Sequence, residues 1–115
     1  MLFRSRYALA ASAPETKDSD FTWGDFQTRN NSELVAILGN FVNRAFVLTQ
    51  KNFDSKIPAR GELTEFDLQT LATLAELPGK IGDAIANYKF REALALVMDV
   101  ARLGNKYLEI GRAHV

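Results

Sequence analysis

In the stretch 30–53, NNSELVAILGNFVNRAFVLTQKNF, Asn40 and Arg44 stand four residues apart, the separation that puts two side chains on one face of a helix. Their types suit hydrogen bonding to a planar polar group, of which a base edge is one example. Asn offers both a donor and an acceptor to one base edge. Arg offers a planar, permanently charged fork for a base carbonyl or phosphate, and it can also stack. Bases in single-stranded loops can be splayed out with their Watson–Crick edges exposed. Asn43 is adjacent on the same edge, and Lys51 lies two turns beyond Arg44. Seen alone, an Asn and an Arg at this spacing on an exposed helix face read first as a solvated pair.

No catalytic constellation accompanies them. The chain has no cysteine, which excludes disulfides, thiolate zinc sites and a cysteine nucleophile, and its one histidine is His114. Ser12, Ser19, Ser32 and Ser55 therefore have no histidine upstream of the tail to activate them. Glu15, Asp18 and Asp20 lack the ligand order and central glycine of a calcium loop and read as a solvated connector. No glycine-rich phosphate loop occurs. The expectation is a chain with no catalytic residue, no metal and no cofactor of its own. Fourteen basic residues balance fourteen acidic ones, so a nucleic-acid site must be a local patch rather than a bulk charge. The apolar runs are too short to span a bilayer and the N-terminus lacks an apolar signal core, so a cytoplasmic, membrane-free protein is expected.

The pair must be held by helices. At 100° per residue, Leu34, Leu38, Phe41, Ala45 and Leu48 share one apolar side of the 30–53 stretch, with Val35, Val42 and Phe46 widening it. Gly39 interrupts at a cost near ~1 kcal/mol relative to Ala. Close helix packing is the first explanation for it, and room for an approach beside Asn40 the second. Upstream, residues 6–12 read as the tail of a helix stopped before Pro14, and 13–20 as a polar connector. Thr22 with Asp25 forms a capping signal, Phe21 and Phe26 a hydrophobic staple, and Trp23 a packed corner. Residues 26–31 either run directly into the long helix or form a short one before it.

Downstream, 52–61 is a turn region and Thr64 with Asp67 starts another helix. Its face is Phe66, Leu71, Leu74, Ala75 and Leu77. Pro78-Gly79 leaves open one kinked helix or two short ones, after which Ile81 and Ile85 resume the face. Asn87-Tyr88-Lys89 is a tight corner, and Phe90, Leu94, Val97, Ala101 and Leu108 mark a last amphipathic helix. No strand-like alternation appears. The expected fold class is all-α: an antiparallel bundle of three or four helices with short loops.

NNSELVAILGNFVNR resembles the first long helix of the anticodon-binding domain of the methionyl-tRNA synthetases, a family of class I aminoacyl-tRNA synthetases. APETKDSDFTW before it and REALALVMDVARLGNKYL after it are similar to neighbouring segments, so the resemblance covers roughly 6–108. It is specific over GNFVNR and ARLGNKYL and loose between them. The resemblance implies a truncated bundle of the class I anticodon-binding type, with the family's anticodon-reading Asn and Arg at Asn40 and Arg44 and phosphate or auxiliary RNA contacts at Asn43 and Lys51. The implied partner is the anticodon loop of methionine tRNA, with no DNA. The implied activity of the parent is ATP-dependent attachment of methionine to that tRNA, with ATP and possible zinc sites outside this chain. The family's stacking tryptophan, in a Pro-Trp after the NKYL-type string, has no counterpart here. Asn105 and Tyr107 read as helix-packing or capping groups. Two other readings stand beside this one: a helical protein-interaction module, and the equivalent domain of a sister class I synthetase for Cys, Leu, Ile or Val.

Both ends look foreign to this pattern. Residues 109–115 (EIGRAHV) translate GAGATCGGAAGAGCACACGTC, which resembles a sequencing adapter. Residues 1–5 (MLFRS) translate GTGCTCTTCCGATCT, the reverse complement of part of the same string. The expected organisation is therefore 1–5 adapter-derived, 6–20 the end of a stem-contact region and connector, 21–108 the incomplete helical domain, and 109–115 adapter-derived. The alternative is that both ends are native.

Overall fold

The computed structural model describes residues 2–113, and His114 lies outside them. Helix α1 (Leu2–Ala11) is followed by a rod built in three parts: α2 (Trp23–Arg29), a π-helical segment (Asn30–Gly39) and α3 (Asn40–Phe53). Then come α4 (Glu65–Ala86) and α5 (Phe90–Ala113). Counting the rod once, this is an all-α bundle of four helices, with no strand among the described residues.

The helix starts follow the local chemistry. Thr22 is extended and its hydroxyl accepts from the Asp25 N–H at 3.1 Å. Phe21 and Phe26 lie 6.1 Å apart, ring to ring, as the staple requires. Thr64 and Asp67 complete a reciprocal capping box at 3.2 and 2.8 Å, a motif whose cap is typically worth about 1 kcal/mol. The rod ends at Asp54, whose φ of 54° is left-handed. Helix α4 runs through Pro78 as one helix. The corner at Asn87–Lys89 turns the chain back on itself, with Tyr88 at φ 60°.

The rod departs from the expected single α-helix over 30–53. It begins at Trp23, so the segment after Phe26 continues directly. Over Asn30–Gly39 its bonds run five residues back: the Asn40 N–H donates to Val35 O. Such i→i+5 pairing widens and underwinds the helix, a departure that the 100° projection does not anticipate. Leu34 is buried and Leu38, Phe41, Ala45 and Leu48 are half-buried, as expected, but Val35, Val42 and Phe46 do not widen the core face. They are 58%, 40% and 72% exposed. Trp23 is a corner residue rather than a core one, set edge-on to Phe21 and largely exposed. The expected α5 face holds at the buried Ala101 and the half-buried Leu94 and Leu108, but Ala93 and Met98 are also buried while Phe90 and Val97 are exposed. On α4, Leu77 and Ala84 are buried, and Leu71, Ala75 and Ile85 are exposed. The buried residues at 84 and 93 are alanines, which a search for large apolar residues passes over.

Helix α5 is the hub, touching α1, the π-helical segment, α3 and α4. Tyr7 and Ala11 of α1, Leu34 of the rod and Met98 of α5 form the central cluster. The Tyr7 hydroxyl donates to Glu33 at 2.7 Å, and Arg29 pairs with both Glu33 and Asp25. Burial first, then the Glu33 bond, pushes the Tyr7 phenol well above its ordinary pKa. At the other end, Tyr107 stacks on Phe66 at 5.7 Å and donates to Asp67 at 2.6 Å, tying α5 to the start of α4. Neither junction 5/6 nor 108/109 interrupts its helix.

A Cβ on Gly104 would overlap the Phe41 ring, whereas one on Gly82 would meet nothing within 4 Å. Gly104→Ala is expected to destabilise by about 1–3 kcal/mol through overpacking. Gly82→Ala is expected to stabilise by up to about 1 kcal/mol through helix propensity. Urea denaturation of the two variants checks both signs.

The Tyr107–Asp67 tie carries a pH signature. The Tyr107 bond, then Thr64, hold the Asp67 carboxyl below its usual range, and the Asp67 bond, then partial burial, raise the Tyr107 phenol. The Asp67 contribution is complete above the unfolded carboxylate pKa and is lost as pH falls through the lowered folded value. The Tyr107 contribution is complete below about 10, the unfolded tyrosine value, and is lost as pH rises through the raised one. The gap in melting temperature between the parent chain and Tyr107→Phe should be flat at mid-range pH and shrink at both extremes.

Candidate nucleic-acid interface

Asn40 opens α3 directly after the π-helical segment, and Arg44 follows one turn later. Both side chains lie on the same flank and turn toward α5. Asn40 Nδ2 lies 3.5 Å from Asn105 Oδ1, and an Arg44 guanidinium nitrogen lies 3.5 Å from the same oxygen. Asn105 Nδ2 donates to the Ile37 carbonyl at 3.0 Å. The donors of Asn40 and Arg44 therefore converge on one acceptor.

The pair is not the uniformly outward one that the sequence implies. Asn40 is exposed, but the Arg44 side chain is only 19% exposed, since it lies along the rod–α5 seam. Glu109, 69% exposed, stands 3.8 Å from it, a distance and exposure at which an ion pair contributes little.

Asn40 and Asn43 also line an open groove of about 700 Å³, together with Asn30, Val35 and Gly39. Gly39 is exposed, and the nearest atom to an added Cβ is Leu34 O at 3.1 Å. No neighbouring helix packs on it, so the close-packing explanation for this glycine is overturned. Lys51 is exposed two turns beyond Arg44, on the same strip by helical register. The structure thus brings together Asn40, Arg44 and Asn105, while Asn43 shares only the groove that Asn40 lines. It leaves Lys51 farther along the rod. Asn105 and Tyr107 do serve helix packing, as read from the sequence, but Asn105 also reaches the Asn40–Arg44 pair. Contact between residues 65 positions apart leaves no periodic trace in a sequence.

Among the described residues no group of His, Cys, Asp and Glu could hold a metal ion. No helix of the described residues is long and apolar enough to cross a membrane.

A family model described as tRNA synthetases class I (M) matches residues 4–46, which contain both Asn40 and Arg44. Over 103 residues, 90% of this chain, the sequence is 65% identical to a methionine–tRNA ligase of Cytophaga hutchinsonii, covering 15% of that protein. It is 63% identical over the same length to the methionine–tRNA ligase of Flavobacterium johnsoniae, covering 14% of it, and 57% identical to that of Bacteroides fragilis, covering 15%. The chain belongs to the methionine–tRNA ligase family. It spans about 15% of the length of these relatives and so corresponds to a small part of proteins of that kind.

Within the ligase segment, the half-buried Arg44 is not a structural staple. Its ion-pair partner is exposed, and its contact with Asn105 is long. Arg44→Ala is expected to change folding stability by no more than about 1 kcal/mol, and Glu109→Gln by less. Thermal melting of the two variants beside the parent chain measures this.

Proposed function

We propose that this segment reads the CAU anticodon of methionine tRNA for a methionine–tRNA ligase, the enzyme that joins methionine to its tRNA using ATP in protein synthesis. The observation that carries the reading is the convergence of Asn40 and Arg44 donors on one flank of the rod. Asn40 presents an amide to a base edge and Arg44 a charged fork one turn away. Asn43 and Lys51 lie where the backbone of the same loop can be met. ATP, and zinc where it is used, belong to parts of the ligase outside this segment. A cytoplasmic location follows from a role in translation. On this reading residues 6–20 connect to the stem-contact region and 21–108 form part of the helical domain, with 1–5 and 109–115 adapter-derived. The 103-residue length of the matches equals the length of 6–108, which supports those bounds, although the family model starts at residue 4.

The names of the relatives favour methionine over the cysteine, leucine, isoleucine and valine enzymes. A helical protein-interaction module is the second reading. It is favoured by an apolar groove of about 530 Å³ between α3, α4 and α5, lined by Phe41, Leu71, Leu74, Leu103 and Leu108.

In a complete ligase carrying this segment, Asn40→Ala and Arg44→Ala should each lower kcat/KM for methionine tRNA by about 10–100-fold, the range expected for a lost base contact. Methionine-dependent ATP–pyrophosphate exchange should stay unchanged. A fall in exchange instead would show that these residues act on amino-acid activation rather than on the anticodon.

A further inference from the structure

We infer that Asn105 is the positioning residue of this interface: it fixes where Asn40 and Arg44 aim, and so sets which bases they accept. The inference rests on the anticodon reading above and deepens it. The orientation of the Asn105 amide is decided on its far side. Its neighbour there, the Ile37 carbonyl, only accepts hydrogen bonds, so the NH₂ must face Ile37 at 3.0 Å. The Asn105 oxygen is thereby turned toward the rod surface, where Asn40 Nδ2 and the Arg44 guanidinium both approach it at 3.5 Å.

Two features make this a designed contact rather than a chance one. Ile37 lies in the π-helical segment, whose i→i+5 pairing shifts its carbonyls from their ordinary places along the rod. Gly104, next to Asn105, lets α5 lie against Phe41 so closely that no Cβ fits. Both bring a short side chain on α5 within reach of a backbone oxygen on the rod. Glu109 cannot do the same work, because it is exposed and reaches Arg44 only at 3.8 Å.

At 3.5 Å the two donors are oriented but weakly held, so an incoming base carbonyl can take over without a large cost. A pre-aimed pair loses little side-chain entropy on binding. Asn105 thus acts through Asn40 and Arg44 without touching the RNA.

The test has two arms. In the 115-residue chain, the side-chain amide resonances of Asn40 and the guanidinium resonance of Arg44 are followed by NMR. Asn105→Ala should shift both while leaving the melting curve in place. Should that variant not fold, Asn105→Asp keeps the size and the acceptor but removes the donor to Ile37, and it should shift the same resonances. In a complete ligase carrying this segment, charging of tRNA with a CAU anticodon is compared with charging of single-base anticodon variants. Asn105→Ala should cut that discrimination roughly tenfold, the scale of one net hydrogen bond, with methionine activation unaltered. Unmoved Asn40 and Arg44 resonances would overturn the inference. So would full discrimination in the Asn105 variants alongside lost discrimination in Asn40→Ala. If Asn40→Ala and Arg44→Ala also kept full discrimination, the anticodon reading itself would fail, whatever the NMR showed.

Discussion

The close approach of the rod to α5 is the constraint on which the rest of the molecule depends. Phe41 lies where a Cβ on residue 104 would be, so the distance between these two helices is set by the absence of one carbon atom. That approach buries the apolar side of α3 against α5. It also places Asn105 opposite Ile37 and makes the Asn40–Arg44 flank a continuation of a packed seam instead of a free surface. A residue that looks like a helix weakness in the sequence is what allows the long-range polar contact beside it. Packing and site geometry are therefore one feature here, because Gly104 and Phe41 stand next in the chain to Asn105 and Asn40.

The central cluster of Tyr7, Ala11, Leu34 and Met98 is small, and large apolar side chains remain exposed on every helix. Capping, the Tyr7–Glu33 bond and the Tyr107–Asp67 bond take on more of the work of fixing relative positions than in a domain with a thick core. Each joins α1, the rod or α4 to a neighbour at a defined residue. Helix α4 packs on α5 and on no other helix to a comparable extent, which leaves the apolar groove between α3 and α4 open. In relatives about seven times longer than the matched segment, a groove of this kind has ample chain to meet.

Much of the fold was legible because it is written in local chemistry. Thr22 with Asp25 and Thr64 with Asp67 mark helix starts by side-chain reach alone, and the corner at Asn87–Lys89 follows from turn-forming residues. The core face of the rod was legible at Leu34, Leu38, Phe41, Ala45 and Leu48. The misplaced positions, Val35, Val42 and Phe46, came from widening the buried arc beyond what the neighbours cover. The π-helical segment was not legible, since i→i+5 pairing leaves no compositional mark and the 100° template assumes it away. Pro78 was ambiguous because a proline ring permits either a bend or a continuous helix, depending on packing. At the site, the family resemblance pointed to Asn40 and Arg44, and helical spacing placed them together. It could not show that Arg44 lies half-buried or that Asn105 joins the pair, since both depend on how two helices meet.

The charge pattern bears on what kind of reader this would be. Nucleic-acid affinity comes chiefly from phosphate neutralisation, and sequence discrimination from base edges. A segment with zero net charge, whose candidate site holds Asn40, Asn43 and Arg44 with Lys51 farther along the rod, is poorly built for the first and well built for the second. Amides contribute almost nothing to a counterion-release slope, while each can tell a donor from an acceptor on a base. On the anticodon reading, most of the binding energy for tRNA must then arise where the rest of the ligase meets the molecule, and this segment contributes choice. Such a division also explains why the donors are best held lightly and in advance. A discriminating contact works by the cost of the wrong partner, and that cost is largest when Asn40 and Arg44 cannot easily turn aside to accommodate it.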